Sequence, residues 1–166
     1  MLHSTYGGGC MTKRYYGYYA SPIGILEIIT SDCAIISAMF VEETKENTEE
    51  AEILKEAIKQ FDEYFKGIRK DFEIECEMQG TEFQKRVWKA LTEIPYGETR
   101  SYKQQAIKIG NEKATRAVGN ANGKNLISII IPCHRVIGSD KSLTGYAGGL
   151  NRKQWLLEHE KEISRK

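Results

Sequence analysis

At 166 residues, 40% hydrophobic and 28% charged, the chain has room for one ordinary globular domain or two small ones packed together. It contains no apolar stretch near the roughly 20 residues that span a bilayer. The segment Met1 to Cys10 lacks the charged start and apolar middle of a secretory signal, so neither a membrane span nor export is expected. The net charge of +1 conceals a division: residues 1–80 hold 8 Lys and Arg against 15 Asp and Glu, a balance of −7, and residues 81–166 hold 16 against 8, a balance of +8. A basic second half suits a polyanionic partner, although two solvated surfaces would give the same sums.

Residues 1–10, with Gly7, Gly8 and Gly9, read as a flexible leader, and Met11 as an alternative start. The four cysteines, Cys10, Cys33, Cys76 and Cys133, are widely spaced and form no C-x-x-C, so neither a disulfide framework nor a zinc site is indicated and a reducing cytoplasm is the natural setting. Tyr15 to Ala20, Ile23 to Thr30 and Ala34 to Val41 are β-rich runs separated by turn formers, which predicts a three-stranded meander. Glu49 to Lys66 carries Ile53, Leu54, Ala57, Ile58, Phe61 and Phe65 at helical spacing, a stripe that should cover one face of that sheet before Gly67 ends it. Phe72 to Cys76 reads as a further strand, with Gln79 and Gly80 as the connection to a second domain. Nothing in this first part demands catalysis, which leaves it as scaffold.

The basic part has clear helix ends. Thr81 with Gln84 forms a capping box, and Phe83, Val87, Trp88, Leu91 and Ile94 mark one buried face before Pro95. Ser101 with Gln104 repeats the device and opens a short helix to Ile109, which Gly110 can terminate in a left-handed conformation. Asn111 can cap a third helix from about Glu112 to Ala121. Two helices joined by a tight turn containing glycine are a helix-turn-helix arrangement, whose second helix enters a nucleic-acid groove.

On that second helix Ala114, Thr115, Ala117, Gly119 and Ala121 are small, so its backbone can approach a groove wall, and Arg116 is the one long cation among them. Arg116 could contact phosphate, hold the gap left by an extruded nucleotide, or simply be solvated. Tyr102, at the start of the preceding helix, would share the same side, its ring bracing a phosphate and its hydroxyl available as a donor.

The chemistry concentrates at Ile131, Pro132, Cys133, His134, Arg135 and Val136. Ser128 to Ile131 read as a buried strand, and Pro132, with no N–H to continue a ladder, forces a turn at the cysteine. A soft nucleophile and a base stand together there. They could cooperate across the bend or through a water. The bland alternative is a buried, inert thiol.

Gly80, Thr81, Phe83, Gln84, Val87, Trp88, then Ile94 to Thr99, Ser101, Tyr102, Arg116 to Gly119 and Pro132 to Val136 resemble the O6-alkylguanine-DNA alkyltransferases. The match covers most of residues 80–160 and extends more weakly over residues 15–78. The resemblance implies an α+β chain: a small ribonuclease-H-like N-terminal domain over residues 11–79, followed by a mainly helical, winged-helix-like DNA-binding C-terminal domain over residues 80–166. It implies irreversible, single-turnover transfer of an alkyl group from guanine O6, with thymine O4 as a further target, to the protein's own cysteine. The partner is then double-stranded DNA containing O6-alkylguanine, bound by a cytoplasmic monomer with no cofactor, metal or membrane.

Residue by residue, the resemblance makes Cys133 the acceptor, His134 the base acting through a water, and Glu160 the carboxylate that orients it, although the sequence alone leaves Glu158 open for that last role. Tyr102 would protonate the departing guanine, and Arg116 would fill the space of the flipped base. Asn125 would brace the turn between the recognition helix and the active site. Tyr146, Ala147 and the backbone near Val136 would line the guanine pocket, with Arg135 as support. Leu126 and Ser128 stand where relatives often have prolines, Lys141 where a turn glycine is common, and Ala147 where some have serine. A cysteine hydrolase built on Cys133, His134 and Glu160 would leave the helix pair and the charge division unexplained. A non-catalytic damaged-DNA-binding or regulatory module would leave the thiol unused.

Overall fold

A computed structural model describes residues 13–46 and 49–166, so the expected leader at residues 1–10 lies outside the described residues. The chain divides between Gln79 and Gly80 into two units.

In the first unit β1 (Tyr15–Ser21), β2 (Gly24–Thr30) and β3 (Ile35–Val41) form an antiparallel sheet in the order β1-β2-β3. This is the expected meander, and the Tyr18–Glu27 pair that stands directly opposite across β1 and β2 is joined by a 2.9 Å hydrogen bond from the Tyr18 hydroxyl. Alternation sends Leu26, Ile28 and Thr30 of β2 into the core. Helix α1 (Glu52–Phe65) lies on the sheet through Leu54, Ala57, Phe61, Tyr64 and Phe65, and it ends at Gly67, whose φ of +75° is the left-handed conformation that closes a helix.

Phe72 to Cys76 is not a strand. A single parallel bridge joins Cys76 to Ile35, because the buried Gln60 takes the backbone of Glu73 instead: its Nε2 donates to the Glu73 carbonyl at 3.1 Å and its Oε1 accepts the Glu73 N–H at 2.9 Å. A side-chain amide thus replaces a ladder partner. Cys76 and Cys133 are free thiols, and Cys33 is disulfide-bonded, of which the cysteine spacing gave no sign.

In the second unit both capping boxes form. Thr81 and Gln84 open α2 (Glu82–Leu91), and Ser101 and Gln104 open α3 (Tyr102–Lys108). Helix α2 stops at Leu91, short of Pro95, and a turn then carries Ile94 into the core. Gly110 adopts φ +86°, and Asn111 caps a 3₁₀ turn at Glu112–Ala114 before α4 (Thr115–Gly123). The expected third helix is therefore a 3₁₀ turn followed by a shorter α-helix. Trp88 Nε1 donates to the Ala121 carbonyl at 2.8 Å and pins α4 to α2. Two short strands, β4 (Arg100–Ser101) and β5 (Val136–Ile137), pair in parallel, and α5 (Leu150–Ser164) ends the chain's regular structure. No helix among the described residues is long and apolar enough to cross a membrane.

Candidate active site

The approach to Cys133 is a coil of tight turns, where a strand was expected. Ile130 N–H donates to the Ser128 carbonyl at 2.8 Å, Ile131 N–H to Ile127 at 3.1 Å, and Cys133 N–H to Ile131 at 2.8 Å, with Ile129 at φ +73°. A β-branched residue in the left-handed region is strained by roughly 1–3 kcal/mol and persists only where its surroundings over-determine it. Here Asn125 does so. It is buried, its Oδ1 accepts the Ile127 N–H at 3.0 Å, and its Nδ2 reaches the Ile127 carbonyl at 3.3 Å, the Ile131 carbonyl at 2.9 Å and Cys133 Sγ at 3.3 Å. The apolar run packs inward through Ile127, Ile129 and Ile131 without any neighbouring strand, because one amide collects the polar groups that a ladder would have paired.

Cys133, His134 and Arg135 form a buried 3₁₀ turn. Burial pushes the Cys133 thiol up, opposed by the Asn125 hydrogen bond and by the charge of Lys153. Burial pushes His134 down, so the ring is neutral at physiological pH. Its Nε2 lies 2.9 Å from Glu160 Oε1. Burial works to raise the Glu160 carboxyl, but His134 and Arg135 outweigh it and hold Glu160 well below the ordinary range. An ionised Glu160 only accepts, so Nε2 carries the imidazole proton and Nδ1 carries the lone pair. Nδ1 is buried and has no protein partner.

Arg135 locks this carboxylate in place. Its Nε donates to Glu160 Oε2 at 2.9 Å, its Nη2 to Oε1 at 2.8 Å, and its Nη1 to the Ile94 carbonyl at 2.7 Å. Its guanidinium also lies 5.6 Å from the centroid of Tyr96. Glu158, the other acid left open by the sequence, is exposed and bonds to Gln154 at 3.0 Å, which leaves Glu160 as the acid that meets His134.

Lys153 is a residue that sequence reasoning missed. It is fully buried, with Nζ donating to the Val136 carbonyl at 2.5 Å and to the Thr144 carbonyl at 2.9 Å. Burial draws its ammonium down to about 8, while the nearby Cys133 works in the opposite direction. The Tyr102 hydroxyl donates to the same Thr144 carbonyl at 2.9 Å, and burial raises this phenol's pKa. The available signal was positional: Lys153, Leu156 and Glu160 follow the i, i+3, i+7 spacing of one buried face of α5. Val136 and Tyr146 are buried, and Ala147 is exposed.

On α4, Arg116 and Ala117 are exposed, and Thr115 and Gly119 are half-buried. Gly119 faces the Tyr102 ring, where an added Cβ would lie 3.8 Å from Cδ1 and Cε1. Ala114 and Ala121 stand apart from the other small residues: Ala114 lies in the 3₁₀ turn, and both side chains are buried in the core, leaving no methyl for a groove wall.

A thiol, a neutral imidazole with one free nitrogen, and a carboxylate fixed by arginine, carried under a helix pair of DNA-binding form, define a cysteine-dependent protein that acts on DNA. Residues 82–162 match the model of the 6-O-methylguanine DNA methyltransferase DNA-binding domain, and residues 14–78 match that of the 6-O-methylguanine DNA methyltransferase ribonuclease-like domain. The chain belongs to the 6-O-methylguanine DNA methyltransferase family. It is 47% identical over 152 residues to the methylated-DNA–protein-cysteine methyltransferase of Methanosarcina acetivorans, covering 88% of this chain and 97% of that one. Among solved structures it is similar to the Mycobacterium tuberculosis O6-methylguanine methyltransferase, with TM-score 0.83, 46% identity and 91% and 94% of the two chains covered. It is also similar to the Mycobacterium tuberculosis OGT in complex with DNA, with TM-score 0.82, 47% identity and 89% and 93% covered. The expected fold class agrees with these matches: a ribonuclease-like sheet domain, then a helical DNA-binding domain.

Proposed function

We propose that the protein repairs DNA by direct reversal, binding double-stranded DNA that contains O6-alkylguanine and moving the alkyl group once, irreversibly, to Cys133 Sγ. The reaction is a displacement at saturated carbon: the S–C bond forms, the C–O6 bond breaks, and the purine oxygen leaves with the bonding pair. A thiolate is the competent nucleophile. The observation that carries the reading is the single free nitrogen of His134. Its Nε2–H is committed to Glu160, so Nδ1 is the atom that can take the Cys133 proton through a water, and Asn125 Nδ2 donates to the sulfur that is left.

Tyr102 supplies the proton that the departing purine needs, and as that negative charge develops its hydrogen bond strengthens, favouring the transition state over the ground state. Arg116, exposed on α4, holds the space of the extruded base. Extrusion costs a few kcal/mol, which pocket contacts offset. Thr115, Ala117 and Gly119 let the helix approach the groove, and Tyr146, Ala147 and the Val136 backbone line the pocket. The thioether product has no route for departure, so each molecule acts once; the reading takes the protein as a cytoplasmic monomer and requires no metal or organic cofactor.

Incubation with a duplex carrying one O6-methylguanine should add a single methyl group to the peptide bearing Cys133, as read by mass spectrometry. Cys133→Ala should bind the duplex and leave the lesion intact. Continued turnover beyond one methyl per protein would overturn the proposal, and binding without transfer by the unaltered protein would support a damage-binding module instead.

A further inference from the structure

Helix α4 has three distinct sides. Val118 and Ala121 face the core, the latter through the Trp88 hydrogen bond. Arg116, Ala117, Asn120 and Gly123 are exposed. Between these sides runs the row that begins at Gly119, beside the Tyr102 ring, and reaches Asn122 three residues on. Asn122 is 4% exposed, and neither Oδ1 nor Nδ2 of its carboxamide has a hydrogen-bond partner in the protein. Its own carbonyl accepts the Asn125 N–H at 3.2 Å, so it stands where α4 hands over to the turn that carries the sulfur.

A buried amide with both ends unpaired is destabilising unless something outside the protein satisfies it. Apolar residues of similar size would fit a purely structural position at less expense. Asn122 lies one turn along α4 from Gly119, the residue beside the Tyr102 ring, and its backbone carbonyl meets the N–H of Asn125, the residue whose side chain holds the Cys133 sulfur.

We propose that Asn122 reads the hydrogen-bonding edge of the extruded base. The inference rests on the alkyl-transfer reading above and adds a substrate contact to it. Alkylation at O6 removes the proton from ring N1, so the lesion presents an acceptor at N1 beside a donor at the 2-amino group. A carboxamide presents one donor and one acceptor side by side and matches this pair. Intact guanine presents two donors, one of which would face the amide nitrogen unpaired, so the same contact disfavours undamaged bases.

The test compares single-turnover transfer by the full-length protein from O6-methylguanine and from O6-methylhypoxanthine, which lacks the 2-amino group, placed at the same position in one duplex. The unaltered protein should react about tenfold or more faster with O6-methylguanine, the size of effect expected when a buried group loses its partner. Asn122→Leu, similar in size and apolar, should slow the O6-methylguanine reaction by a comparable factor and treat the two substrates alike. Titration of Cys133 with a small disulfide reagent should be unchanged, a readout that a merely structural role would alter. Asn122→Ala gives the same comparison should the leucine not pack, and the two-substrate ratio of the unaltered protein stands without any variant. Equal rates from both substrates, or a full preference retained in either variant, would overturn the assignment of Asn122 alone. No methyl on Cys133 from either substrate would overturn the alkyl-transfer reading and this inference with it.

Discussion

Asn125→Ala removes four contacts at one stroke and tests the reasoning about the active-site turn most severely. The Ile127 N–H and the Ile131 carbonyl, which Asn125 meets at 3.0 and 2.9 Å, both belong to residues at most 2% exposed, so water does not readily replace the amide. A buried group left without its partner costs about 1–3 kcal/mol. The Ile127 N–H is left in that state, whereas the Ile131 carbonyl keeps the Cys133 N–H and the Ile127 carbonyl keeps the Ile131 N–H; with the two weakened carbonyls and the lost contact to sulfur, the change amounts to roughly 3 kcal/mol out of the 5–15 kcal/mol typical of a whole domain. For a unit of this size each kcal/mol shifts Tm by about 4–8 °C, so calorimetry should find the C-terminal unit melting roughly 15 °C lower. Asn125→Asp tests the donor by itself. Its carboxylate still accepts the Ile127 N–H but cannot donate to the Ile131 carbonyl, the Ile127 carbonyl or Cys133, and it places a buried negative charge among those acceptors. It should melt no higher than the alanine variant and transfer more slowly, because the thiol is driven further up. A Tm change below about 1 °C for the alanine variant, or faster transfer by the aspartate than by the alanine variant, would refute the account.

Two further outcomes follow from the geometry. Arg116→Ala should slow repair of a lesion in duplex DNA by roughly tenfold or more and leave reaction with free O6-methylguanine base nearly unchanged, because only the duplex requires extrusion; equal losses measured on both substrates would remove its role. His134, ordinarily titrating near 6.5, is held lower by burial, so between its folded value and 6.5 the unfolded chain binds the extra proton and the folded state loses stability as pH falls. Urea unfolding of the C-terminal unit should therefore show a midpoint that declines below pH 6.5. The decline should be absent in His134→Gln until Glu160 begins to protonate, below its ordinary value of 4.5.

The helix starts were legible because capping is local: Thr81 with Gln84 and Ser101 with Gln104 carry both partners of each box within four residues. The meander was legible for a similar reason, since period-two burial is written into each strand. Ser128 to Ile131 misled because β-branched residues promise a strand only where a neighbouring backbone exists to pair with, and Asn125 has replaced that neighbour. Phe72 to Cys76 misled in the same way, through Gln60. In both places one amide side chain overrode a correct local preference, and an amide's partners are set by tertiary structure. Lys153 and Asn122 were passed over for a related reason. A lysine or asparagine on an amphipathic helix reads as solvated until the fold shows it buried, and only the burial makes it chemically interesting.

The Cys133 thiol is raised by burial, which looks wrong for a nucleophile until the protein's single use is considered. A resting thiolate is the form that oxidises, and for a molecule with one sulfur to spend, each oxidation is a complete loss of function. Keeping the sulfur protonated on a buried residue protects it, provided that the proton can leave when a substrate arrives. The surrounding groups meet that condition: a neutral imidazole whose tautomer is held by Glu160, an amide donor already on the sulfur, and a lysine charge nearby, all fixed before the reaction begins. Excluding water strengthens each of those interactions and leaves the emerging anion poorly hydrated and more reactive. The same burial that lowers the resting fraction of thiolate thus raises the reactivity of each thiolate formed. Substitutions that make Cys133 more acidic by opening the turn should then hasten its oxidation without a matching gain in transfer.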